Sequence, residues 1–185
     1  MGRDVEVGRL NTKYSVPANA WWLVVALLAV MVVVSYGRAL MITNNHDFSV
    51  YFKAAADLRE GRDIYADVVP FKAAMESGDF NYKAEDTVWP YPYTPVLAIL
   101  LLPLSYLPYA WASVIWAALN VIALGLGCWL ILLSQGKITP PRLALALLLL
   151  CGFRPALVGL RLGQIDVIIF LAIALSFNLL KRGRE

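Results

Sequence analysis

The residues best equipped for chemistry stand together at Asn44-Asn-His-Asp-Phe-Ser-Val-Tyr51, where His46, the one histidine of the chain, precedes Asp47. A positioned carboxylate can accept the proton of a reacting hydroxyl, which makes Asp47 a candidate general base. Its spacing allows a second role. Phe48, Tyr51, Phe52, Ala55 and Leu58 recur at helical intervals, so a helix over 47–60 starts at Asp47, whose carboxylate then serves as its N-cap. Both roles stay open, and they can coexist. Gly61 is a natural residue to end that helix. His46 has no second His or Cys beside it, so no metal site is expected there. It is either solvated or a substrate contact.

Two further motifs carry chemistry-bearing side chains. Trp89-Pro-Tyr-Pro-Tyr-Thr-Pro95 holds the chain extended and then starts a helix at Pro95. Its rings, Tyr91 and Tyr93 among them, are either an interfacial aromatic belt or a platform for sugar or lipid. Arg161-Leu-Gly-Gln164, with Asp166 two residues on, offers a cation and an amide. Arg161 either pairs with Asp166, binds phosphate, or snorkels to headgroups. No Gly-rich phosphate loop, nucleophile elbow or paired-cysteine spacing occurs. Gly125-x-Gly127 reads as a close-packing site between helices.

The elements that must position these groups are membrane elements. The chain of 185 residues is 60% hydrophobic and 16% charged, with mean hydropathy +0.65. Soluble domains run nearer to about 45–50% apolar and about 25% charged. A chain this short cannot bury so much apolar surface in water, which excludes an ordinary soluble domain and a disordered tail. The net charge of +3 is no ground for nucleic-acid binding. It is the sum of two opposed parts. Residues 43–92 hold nine acids and five bases, a net −4, while the remainder holds eleven bases and four acids, a net +7. An acidic, aromatic-rich loop is thus set in a basic, membrane-bound frame. Cys128 and Cys151 lie in apolar runs and read as small hydrophobes.

The expected architecture is all-α: a polytopic transmembrane bundle of four or five membrane segments, with a long external loop carrying amphipathic interfacial helices. A cytoplasmic segment 1–19 precedes a first transmembrane helix 20–42, and the external loop spans 43–93. The bundle fills 94–180, with segments 94–107 (short or re-entrant), 109–133, 143–158 and 165–180, and a basic tail follows at 181–185. Arg3, Arg9 and Lys13 ahead of the first span put the N-terminus in the cytoplasm by the positive-inside rule, so the acidic loop faces outward. Counting the remaining basic residues the same way favours four spans, with 94–107 not crossing.

In this order the motifs resemble the N-terminal half of an integral-membrane glycosyltransferase of the GT-C architecture. The most similar group is glycosyltransferase family 87, polyprenol-phosphate-mannose-dependent mannosyltransferases. The resemblance rests on Asp47-Phe-x-x-Tyr51 with Ala54-Ala55, then Leu58-x-x-Gly61-x-Asp63-x-Tyr65. It continues through Tyr91-Pro-Tyr-Thr-Pro95, Leu102-Pro103-Leu104 and Trp116-x-x-x-Asn120 to Gly163-Gln164. Tyr93-Thr94-Pro95 stands where the family often has paired prolines. The resemblance implies inverting transfer of a hexose, usually mannose, from a polyprenyl-phosphate carrier to a sugar or glycolipid acceptor on the outer face of the plasma membrane. Asp47 matches the external-loop aspartate that acts as base. His46, Tyr51, Tyr91, Tyr93, Arg161 and Gln164 are the expected substrate contacts, with no metal and no bound cofactor. Arg161 or Arg38 would counter the departing phosphate charge. Members are usually about twice this length, so the expectation is a chain that lacks a C-terminal half and its donor contacts. The competing reading is a non-catalytic scaffold or transporter-like subunit that binds lipid or a partner through its aromatic loop.

Overall fold

The computed structural model describes residues 17–41, 45–78 and 89–183, and among these the only regular structure is helical. The basic residues Arg3, Arg9 and Lys13 and loop residues 79–88 lie outside them. In chain order the helices are α1 (Ala18–Met41), α2 (His46–Arg59), α3 (Val68–Ser77), α4 (Pro95–Leu101), a 3-10 turn (Leu104–Tyr106), α5 (Tyr109–Ser134), α6 (Pro140–Gly152), α7 (Arg154–Leu162) and α8 (Asp166–Arg182).

Apolar length is what makes α1 and α5. Residues Asn19–Met41 and Tyr109–Ser134 are each long and apolar enough to cross a membrane. α1 leaves Trp22, Leu23, Leu27, Val30, Val33 and Val34 exposed along its length, as a helix clad in lipid does. The bent pair α6 and α7 passes as a third candidate span, with a 57° angle between its halves. Sequence places one segment at 143–158; the structure has two helices there, broken at Phe153 (φ −84°, ψ 77°). Pro155 is the cause, because it has no N–H to give and its ring collides with the carbonyl four residues back. α8 has 17 residues, about 25 Å of helix.

The segment expected at 94–107 is not one helix. α4 starts at Pro95 and stops after seven residues, where Pro103 forbids its continuation and the chain tightens into the 3-10 turn. Pro108 then opens α5. α2 lies over this short pair. Its apolar face, Phe48, Tyr51, Ala54 and Ala55, is buried with Tyr91, Leu97, Ala98, Leu101, Ala112 and Trp116 in the main core. α2 therefore spends its apolar stripe on protein.

α5 packs along α8, and α1 along α6 and α7. The α5 seam recurs every three or four residues: Ala112, Trp116, Asn120, Ala123, Gly127. Gly127 is the tight point, since a Cβ there would lie 2.5 Å from the Phe170 ring, whereas Gly125 faces open space. Down this seam Gly127 meets Phe170, Leu130 O accepts from Asn178 Nδ2, and Ser134 O accepts from Lys181, so α5 and α8 run in the same direction. One end of the bundle is where α7 finishes and α2, α5 and α8 begin. Lys137, Arg142, Lys181 and Arg182 gather at the other, where Arg142 donates to Gln135 O and Lys137 O.

Candidate active site at the α2 N-terminus

Asn45 caps α2 in the left-handed conformation (φ 46°, ψ 31°) with no side-chain cap bond. Asp47 is consequently one residue inside the first turn. The capping role open to it in the sequence is not the one it has. Free backbone N–H groups and the helix dipole favour its negative charge there. Its carboxylate is a quarter exposed, and Oδ1 lies 3.4 Å from His46 Nδ1. His46 stands edge-on to Trp89, with ring centroids 5.3 Å apart.

One turn further, Tyr51 is buried and shares a 3.0 Å hydroxyl–hydroxyl hydrogen bond with Tyr93. Burial first, and then this bond, raises the Tyr51 hydroxyl well above its ordinary pKa; the charges of Asp47 and Asp166 add to the effect. Tyr93 is partly exposed, and its carbonyl accepts from Tyr65 OH at 2.8 Å. Tyr91 lies in the core. Its hydroxyl donates to Thr94 O (2.8 Å) and accepts from Ala98 N–H (3.1 Å), which ties the strap to the start of α4. Burial likewise raises the Tyr91 hydroxyl. Of the strap rings, Tyr93 is therefore at the surface beside Tyr51, and Tyr91 is structural.

The turn between α7 and α8 closes the other side. Asn45 N–H donates to Arg161 O at 3.3 Å. Gly163 (φ 73°) comes so close to α2 that a Cβ on it would stand 2.8 Å from Phe48 Cβ and 3.4 Å from Phe48 N. Gln164 N–H bonds Gly159 O at 2.8 Å, and the Gln164 and Asp166 side chains lie over Gly159. Arg161 is exposed and makes no ion pair with Asp166 among the described residues. Trp116 joins both sides: its indole Nε1–H donates to Gly163 O at 2.8 Å and its ring stacks on Phe48. Tyr109 OH also reaches Asn45 O, at 3.4 Å.

The structure thus gathers His46, Asp47, Tyr51, Tyr93 and the Arg161–Gln164 turn at one end of the bundle. Arg38, in the last turn of α1, is exposed. Three residues acquire weight that sequence reading did not assign. Asp166 adds a second carboxylate near Tyr51, and Trp116 clamps the site. Asp57 is buried in α2 between Lys53 (2.9 Å) and Arg62 (2.6 Å), and Lys53 reaches on to Asp67 at 2.7 Å. Those pairs pin the 60–67 loop to α2, while Arg59 donates to Ser105 O and lies over the Tyr106 ring. Among the described residues no three His, Cys, Asp or Glu side chains converge as metal ligands.

No curated protein and no solved structure matches the chain. Residues 91–185, from the aromatic strap through α8, match the profile of glycosyltransferase family 87. The match covers half of the chain, including the Trp116 clamp and the Gly163-Gln164 turn. The chain belongs to glycosyltransferase family 87.

Proposed function

We propose that this membrane glycosyltransferase moves a hexose, mannose for preference, from a polyprenyl-phosphate carrier to an acceptor hydroxyl at the outer face of the plasma membrane, with Asp47 as general base. The observation that carries the reading is the state of Asp47. It sits partly exposed in the first turn of α2, where it is not the cap. That turn packs against the α7–α8 turn, which lies in the segment matching the family. In the reaction, the Asp47 carboxylate takes the acceptor proton as the acceptor oxygen bonds to C1. The bond from C1 to the phosphate oxygen breaks, its electron pair leaves with polyprenyl phosphate, and C1 inverts. A donor that is itself a lipid needs no nucleotide-binding domain. Arg161, exposed in the neighbouring α7–α8 turn, is the cation we assign to the phosphate charge.

The orientation is part of the same proposal. With the acidic loop outside, Lys137, Arg142, Lys181 and Arg182 all lie at the cytoplasmic end, as the positive-inside rule favours. The spans are then four: α1, α5, the broken α6–α7 and α8.

The test is sugar transfer from radiolabelled polyprenyl-phosphate-mannose in membranes carrying the full-length protein. Asp47→Asn is expected to lower turnover by about 10²–10⁴-fold at unchanged expression, the range of a lost general base. Wild-type turnover in that variant would remove Asp47 from the chemistry.

A further inference from the structure

We propose that Trp116 is a positioning residue that holds the two halves of the site in register. The inference rests on the glycosyl-transfer reading with Asp47 as base. One half is the first turn of α2, with His46, Asp47 and Tyr51. The other is the α7–α8 turn, with Arg161, Gln164 and Asp166. More than a hundred residues separate them in sequence, so no short stretch of backbone sets their spacing.

Few direct contacts join the halves. The Asn45 N–H to Arg161 O bond is long, at 3.3 Å, and Gly163 contributes no side chain where it meets Phe48. Trp116 touches both and is 3% exposed. Its N–H holds the Gly163 carbonyl at 2.8 Å, in a setting where water cannot replace the bond. Its ring lies nearly parallel to Phe48, with centroids 5.5 Å apart and planes 17° apart, and edge-on to Tyr51 at 6.3 Å. Phe48 follows Asp47 directly, and Tyr51 lies one turn below it. The indole thus fixes the turn by a directional bond and α2 by two ring contacts, one stacked and one edge-on. Loss of the N–H leaves α2 seated and frees the turn alone. A misplacement near 1 Å costs about 10²-fold in rate when it disturbs a reacting geometry.

The experiment is a double-mutant cycle in full-length protein, with turnover normalised to folded protein and the same radiolabelled donor. Trp116→Phe keeps a ring on Phe48 and deletes the donor. It is expected to lower kcat by about 10–100-fold, with KM for the donor within about twofold. In the Asp47→Asn background the same change is expected to lower the residual rate by less than about threefold, because a residue acting through Asp47 has nothing left to position. A purely structural role would cost the same factor in both backgrounds, and that result overturns the proposal. Unchanged kcat in Trp116→Phe also overturns it, while leaving the base assignment standing if Asp47→Asn is inactive. Wild-type turnover in Asp47→Asn overturns both. If Trp116→Phe does not fold, site-specific replacement of Trp116 by benzothienylalanine, which keeps the bicyclic ring and lacks the N–H, takes its place under the same criteria.

Discussion

Gly163→Ala tests the closest approach in the site. The added methyl carbon would stand 2.8 Å from Phe48 Cβ and 3.4 Å from Phe48 N and Asn45 Oδ1. Phe48 Cβ is the root of its side chain, so no rotamer change moves it away. The turn or the first turn of α2 must retreat by about 0.6 Å to bring the contact to the edge of normal packing, and by more to relax it. The backbone adds its own cost, because φ 73° is a left-handed conformation that costs an L-residue about 1–2 kcal/mol. Over-packing adds about 1–3 kcal/mol, for a total of about 2–5 kcal/mol. Thermal unfolding in detergent should fall by about 5–15 °C. Sugar transfer per folded molecule should fall by an order of magnitude or more, since the retreat opens the gap between Asp47 and Gln164. Phe48→Ala should not rescue the variant, because it keeps the offending Cβ. Unfolding within about 1 °C of wild type together with transfer within about twofold would show that the turn does not press on α2 and would refute the reasoning.

Asp57→Asn should destabilise α2 and the 60–67 loop by about 1–3 kcal/mol at pH 7, a loss limited because Lys53 keeps Asp67 and Arg62 keeps Glu60. Burial raises the Asp57 carboxyl, but Lys53 and Arg62 outweigh burial and hold it below its ordinary 3.8. The stabilisation is therefore present above that value and lost as pH falls through the lower folded value. Melting curves of variant and wild type should stay apart down to pH 3.8 and converge only as the pH falls further toward the folded value. Gly127→Ala should cost about 1–3 kcal/mol by pressing on Phe170, while Gly125→Ala, which faces open space, should be neutral or slightly stabilising; paired unfolding curves check the contrast. Asn120 is buried with Oδ1 unpartnered among the described residues, and its Nδ2 donates to a Trp116 carbonyl. Asn120→Leu should leave unfolding within about 1 kcal/mol of wild type or raise it, and a large loss of stability would mean that the oxygen has a partner.

Much of the frame was legible because a membrane simplifies the problem. Apolar length alone marks α1 and α5, and the periodicity of Phe48, Tyr51, Ala55 and Leu58 marks α2 to within one residue at each end. What escaped was long-range. Pro155 was visible, but the polar character of 154–164 concealed a second helix beyond it. Asp47 reads as a cap because the apolar periodicity begins beside it. The helix starts one residue earlier, and Asn45, a residue at ease in the left-handed conformation, takes the cap position. Gly163 and Trp116 enter the sequence reading only as members of two short motifs, Gly163-Gln164 and Trp116-x-x-x-Asn120. Nothing in their immediate surroundings announced that they meet 47 positions apart and against α2. The α2 half of the candidate site is a local pattern; its partner is a product of packing.

The break between α6 and α7 reaches across to α1. Pro155 cannot supply the N–H that would bond the carbonyl of Cys151, and a carbonyl left bare in hydrocarbon is costly. The neighbouring carbonyl, Leu150 O, accepts from Phe153 N–H and from the Tyr36 hydroxyl of α1, each at 3.3 Å. Positions 36 and 155 therefore meet at one break: the hydroxyl gives a second donor to a carbonyl that the kink takes out of the helical ladder. A straight helix would return Leu150 O to the Arg154 N–H and leave the Tyr36 hydroxyl less to do.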